Sequence, residues 1–104
     1  MNDKERIEHI LKHYDELCLE VTTLGEIEEK YLKKAIYMDI FQIGEHVNHL
    51  SGELVSKLDQ NDVRGVVNIR NYIGHGYTVL KEKYINEVIN IHLPRLIDQL
   101  KKLF

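Results

Sequence analysis

Three features of this 104-residue chain predict an all-α fold, an antiparallel bundle of four to five helices. Apolar residues recur at three- and four-residue steps along most of its length. No stretch alternates apolar and polar residues as a half-buried strand would. Glycine and Asn/Asp/Ser clusters fall where the helical period breaks, so the connections are short, as in bundles.

The first helix is marked by Ile7, Ile10, Leu11, Tyr14, Leu17, Cys18 and Val21. Asn2, with Glu5 three residues on, supplies its N-cap. Gly25 lies just past its end. A second helix is expected from about Ile27 to Leu50, with apolar positions wide enough to meet neighbours on two sides. Gly44 in its interior lowers helix propensity by ~1 kcal/mol relative to alanine and points to close approach of another backbone. Ser51 and Gly52 close that segment, and a short helix follows at 53–58. Asp59, Asn61 and Asp62 form a turn that offers an N-cap to the next helix. That helix carries Val63, Val66, Val67 and Arg70 and stops at Gly74–Gly76. The last runs from near Lys83 towards Leu103. Ile85, Val88, Ile89, His92, Leu93, Leu96, Leu100 and Leu103 keep one register across Pro94, which predicts one kinked helix.

Length predicts one domain spanning residues 1–104 and a modest core that dimerisation would supplement. A single cysteine, Cys18, excludes an internal disulfide; its place in the apolar stripe makes it an expected small buried hydrophobe. A reducing, cytoplasmic setting is expected, with no secretory signal and no membrane span. Net charge is −3, which argues against a general nucleic-acid coating protein. Residues 1–51 carry six Lys/Arg against eleven Asp/Glu; residues 52–104 carry eight against six. The second half is thus less repulsive to a polyanion.

That half contains Arg70-Asn71-Tyr72-Ile73-Gly74-His75-Gly76-Tyr77. On a straight helix, positions five apart point about 140° away from each other. If the helix ends at Gly74, His75 leaves its trajectory and can turn back towards Arg70. Together the two suit metal-free cleavage of an RNA phosphodiester. The 2′-hydroxyl loses a proton, charge builds on the phosphoryl oxygens, and the leaving 5′-oxygen gains a proton. Histidine serves the proton steps and arginine the phosphoryl oxygens. One histidine cannot serve as base and acid at once, which gives a twofold dimer a chemical purpose. The alternative is purely structural: an Arg, a His and a Tyr at a helix end can cap carbonyls and pack.

The segment R-x-x-x-x-H-x-Y formed by Arg70, His75 and Tyr77 resembles the signature of HEPN domains, in their HepT-like branch. Ile43-Gly44-Glu45, Arg70-Asn71 and Leu93-Pro94 match further elements, so the resemblance spans about residues 4–102. It implies a small helical homodimeric RNase toxin, whose partners are its RNA substrate and a minimal nucleotidyltransferase antitoxin. Arg70 and His75 would be catalytic, with Asn71 a polar support. Tyr77 would be the residue silenced by AMP, whose bulk and negative charge would repel an RNA backbone. No cofactor is implied. The chain departs from the family in lacking a tryptophan shortly before Arg70, which leaves packing or RNA contact there open. The alternative is a non-catalytic module that binds a nucleotide or a nucleotidyltransferase, with Arg70 as phosphate clamp.

Elsewhere, Glu45 is placed to reach and orient Arg70, or to serve a surface role. His9/His13 and His46/His49 have metal-binding spacing but no evident third ligand, so no metal site is expected. Tyr14, Tyr31 and Tyr37 are expected in core or interface. Tyr72 either packs or stacks on a base, and Arg64, Lys81 and Lys83 are either a basic rim or solvated surface.

Overall fold

The computed structural model describes residues 1–23, 29–74 and 82–103. Its helices are α1 (Asp3–Thr22), α2 (Glu29–Asn48), the single turn α3 (Gly52–Val55), α4 (Gln60–Gly74), α5 (Glu82–Glu87) and α6 (Leu93–Lys102). A π-helical turn, Val88–His92, joins the last two. Among the described residues there is no strand, and no helix is long and apolar enough to cross a membrane.

Local capping explains the starts. The Asn2 side chain accepts a hydrogen bond from the Glu5 N–H (2.9 Å), as the sequence predicts. Asp59 caps α4 by accepting from the N–H groups of Asn61 (2.9 Å) and Asp62 (3.1 Å). Ser51 N-caps α3 and also ties it to the start of α1. Its N–H and hydroxyl donate to the Asp3 carboxylate (2.9 and 2.6 Å), which holds that carboxyl below its ordinary range.

The Arg6–His46 and His13–Asp39 contacts, with Asp3–Ser51, show α1 and α2 running antiparallel. α2 packs on α1 along one side and on α4 along the other, the central position its wide apolar surface implied. Ile10, Ile40, Ile43, Val66, Leu93, Leu96 and Leu100 have essentially no solvent exposure and form the middle of the core. Gly44 sits where α2 and α4 touch. A Cβ there would lie 2.3 Å from Arg70 Cβ and 3.2 Å from the Val66 carbonyl oxygen, so the expected close approach is real.

Two expectations are corrected. Cys18 is exposed; it stands at the edge of the α1 stripe, whose buried residues are Ile7, Ile10 and Leu17. The last helix is continuous across Pro94 but does not keep one register. In the π turn the Leu93 N–H donates to the Val88 carbonyl five residues back. Proline lacks an N–H, and in an ordinary helix its ring strikes the carbonyl four residues back; widening the preceding turn accommodates both. The slip puts Leu93, with no exposure, into the core and leaves His92 partly exposed. Tyr31 is likewise exposed, while Tyr14 and Tyr37 pack against the core.

Candidate functional site

Arg70 lies on the last full turn of α4, on the face that meets α2 at Gly44. Because Gly44 has no side chain, the Arg70 stem passes close to the α2 backbone and its guanidinium reaches Glu45. Nε donates to Glu45 Oε1, and Nη2 is in ion-pair contact with the same oxygen. Nη1 donates to Asn71 Oδ1 at 2.6 Å. The guanidinium also lies over the Phe41 ring, 5.9 Å from its centroid, a cation–π contact. Three of the five guanidinium N–H groups are thus engaged among the described residues, and two remain for an anionic ligand. Glu45 is itself 3.8 Å from His49 Nε2.

The structure thus brings together Arg70, Asn71 and Glu45. His75 and Tyr77 lie outside the described residues, as does Lys81. α4 is described as far as Gly74, so the expected stop at Gly74–Gly76 also lies at and beyond the edge of the described residues.

A second polar cluster occupies the α1–α2 seam, remote in sequence from the motif. His13 Nδ1 is 2.9 Å from Asp39 Oδ1 and 3.5 Å from Glu16 Oε2. His13, Glu16 and Asp39 offer ligand atoms within 4.8 Å of one another, a grouping that does not include His9, the residue paired with His13 by spacing. Asp39 was missed because it interrupts the run Tyr-Met-Asp-Ile-Phe; its place beside Ile36, Ile40 and Ile43 on the helix was the available signal. His9 and His46 stack with ring centroids 5.0 Å apart. Burial lowers the His46 pKa, and the neighbouring His9 and Arg6 add to the shift.

Glu20 completes this cluster, bonded to Asp39. Its carboxyl is pushed up to about 8, first by burial, then by the hydrogen bond to Asp39 and the negative charges of Asp39 and Glu16. Its Oε2 is sealed from solvent and has no hydrogen-bond partner among the described residues. The ordinary value is 4.5, so between about pH 4.5 and 8 the folded chain holds a proton that the unfolded chain releases. This group's contribution to stability therefore falls as pH rises through that window. Glu20→Gln keeps the neutral form at every pH. Its thermal midpoint, followed by circular dichroism, is expected to decline less than wild type over the window.

A third constellation was only half visible in the sequence. Asp62, fully buried, receives His92 Nδ1 (3.0 Å), Gln99 Nε2 (2.9 Å) and Arg95 Nε (3.2 Å). Asp62 had been read as a turn residue and His92 as part of the apolar stripe. The π turn that separates their roles leaves no periodic signature.

Comparison with known proteins gives a family match. The model of the family described as "Ribonuclease HepT-like" covers residues 5–103. No curated protein and no solved structure matches. A match over nearly the whole sequence, on a helical bundle that carries Arg70-Asn71 at the end of α4, decides the family: this chain belongs to the HepT-like ribonucleases.

Proposed function

We propose that the protein is the toxin of a toxin–antitoxin pair, a metal-independent endoribonuclease. Arg70 and His75 are its catalytic groups, acting in the cleft of a homodimer. The observation that carries this reading is the held guanidinium: Glu45 and Asn71 fix Arg70, five residues before His75 in the sequence.

Arg70 presents its remaining N–H groups to the phosphoryl oxygens, where negative charge grows. One histidine takes the 2′-hydroxyl proton as that oxygen attacks phosphorus. The histidine of the second copy donates a proton to the departing 5′-oxygen. A 2′,3′-cyclic phosphate and a 5′-hydroxyl remain. Glu45 and Asn71 act as positioning residues. Control is by transfer of AMP from ATP to Tyr77, with release of pyrophosphate, catalysed by a nucleotidyltransferase antitoxin.

The test is RNA cleavage in the presence of EDTA. Wild type is expected to leave cyclic-phosphate ends and His75→Ala to be inactive. Equal cleavage by both proteins would overturn the assignment. The same preparation, co-expressed with the antitoxin, is expected to gain the mass of AMP on Tyr77.

A further inference from the structure

We infer that the groove between α4 and the helix formed by α5 and the π turn is a nucleobase subsite, in which Glu87 reads guanine. Gly65, Asn68, Ile69 and Tyr72 line one wall, and Tyr84, Glu87, Val88 and His92 the other, around about 290 Å³. That volume sits at the low end for small-molecule sites and suits one base rather than a whole nucleotide.

Several elements are committed to shaping this groove. The π turn moves His92 out of the core line and onto the groove wall. Buried Asp62 holds His92 Nδ1, so the other ring nitrogen is the one left for a ligand. Gly65 allows the ring to lie against α4; a Cβ there would come within 2.6 Å of His92 Cδ2. π turns inside α-helices recur at functional sites, and here the turn supplies two of the lining residues.

The chemistry of the lining selects the ligand. Among its described residues there is no lysine or arginine, so it does not suit a phosphate. Tyr84 is nearly half exposed on the wall facing α4 and offers a ring on which a base stacks. Asn68 and His92 offer hydrogen bonds to a base edge. A carboxylate accepts two parallel hydrogen bonds, and guanine presents two adjacent donors, N1–H and the 2-amino group. Glu87 therefore favours guanine over uracil, whose edge has a single donor between two carbonyls. On α4 this wall is distinct from the face on which Arg70 meets α2, so the groove and the guanidinium grip different parts of a nucleic acid.

The binding part of this inference is independent of cleavage; its consequence for the scissile site rests on the proposed ribonuclease activity. Two-dimensional NMR of the labelled protein, titrated separately with the four ribonucleosides, tests the first part. Guanosine is expected to shift resonances of Asn68, Ile69, Glu87 and Val88. Tyr84→Ala and Glu87→Gln, at exposed or half-buried positions, are expected to reduce those shifts at least tenfold in apparent affinity while keeping a folded spectrum. Sequencing of cleaved ends tests the second: wild type prefers a guanine near the cut, and Glu87→Gln loses that preference. Groove shifts that are absent with every nucleoside, or unchanged in both variants, overturn the subsite. Guanosine binding without RNA cleavage would keep the subsite and remove the ribonuclease reading. Cleavage with the same base preference in wild type and Glu87→Gln would do the reverse.

Discussion

Gly44→Ala is expected to destabilise the protein by about 1 kcal/mol and to impair RNA cleavage beyond what that loss explains. Two effects oppose one another. Alanine favours an interior helical position by about 1 kcal/mol over glycine. Against this, the new Cβ would lie 2.3 Å from Arg70 Cβ, and overpacking of a close contact costs about 1–3 kcal/mol. The overlap wins because the atoms it strikes cannot swing away. Arg70 Cβ is fixed to the α4 backbone and the Val66 carbonyl belongs to it, so α2 and α4 must separate. For a domain of this length the fall in thermal midpoint is on the order of 5 °C. Gly52 is the control. A Cβ there meets nothing within 4 Å, so Gly52→Ala is expected to leave both midpoint and cleavage unchanged. Thermal melts and initial cleavage rates on the two variants decide the matter.

Arg70→Ala is expected to cost far more activity than stability. Removing one preorganised donor from a site of developing negative charge costs about 10²–10³ in rate. The accompanying change in stability is expected to be small. The Arg70–Glu45 pair is only partly buried, and such pairs contribute ~0–1 kcal/mol. Arg70→Lys keeps the charge but loses the planar fork that engages Glu45 and Asn71 together, so it is expected to recover only a small part of the rate. Single-turnover cleavage rates set beside thermal midpoints separate the roles. A normal rate in Arg70→Ala would remove the guanidinium from the chemistry. A large fall in midpoint would make Arg70 chiefly a helix-packing residue.

Much of the bundle was legible because helical amphipathicity is a local signal. The Asn2 cap and the central position of α2 both follow from residues within one or two turns of the feature. Gly44 was the most informative single residue. A glycine inside an otherwise strong helix implied a neighbouring backbone, and that neighbour carries Arg70. Glu45 as the partner of Arg70 followed from its place one residue on.

Contacts between elements were less legible. Asp39 meets His13 and Glu20 only once α1 and α2 are laid antiparallel, and nothing in its flanking apolar residues announces a charged network. Cys18 shows the converse limit: spacing puts it in the apolar stripe, but it stands at the stripe's edge, where tertiary packing decides exposure. The register of the last helix failed for a different reason. Pro94 was read as a kink, whereas the chain accommodates it by widening the turn before it. Periodicity that assumes a uniform helix cannot register that change.

The π turn also means that the last helix carries one residue more than its core contacts require. In the usual helical frame Val88 would be bonded by residue 92; here it is bonded by Leu93. Excising exposed Asn90 while replacing Pro94 with alanine would return Val88 and Leu93 to ordinary helical spacing, with Ile85 and Leu96 still facing inwards. The surplus residue is therefore dispensable for closing the core, and its visible product is the displaced imidazole. Among relatives, a one-residue gap at this point would separate chains that present a side chain to the groove from chains that have a plain helix there.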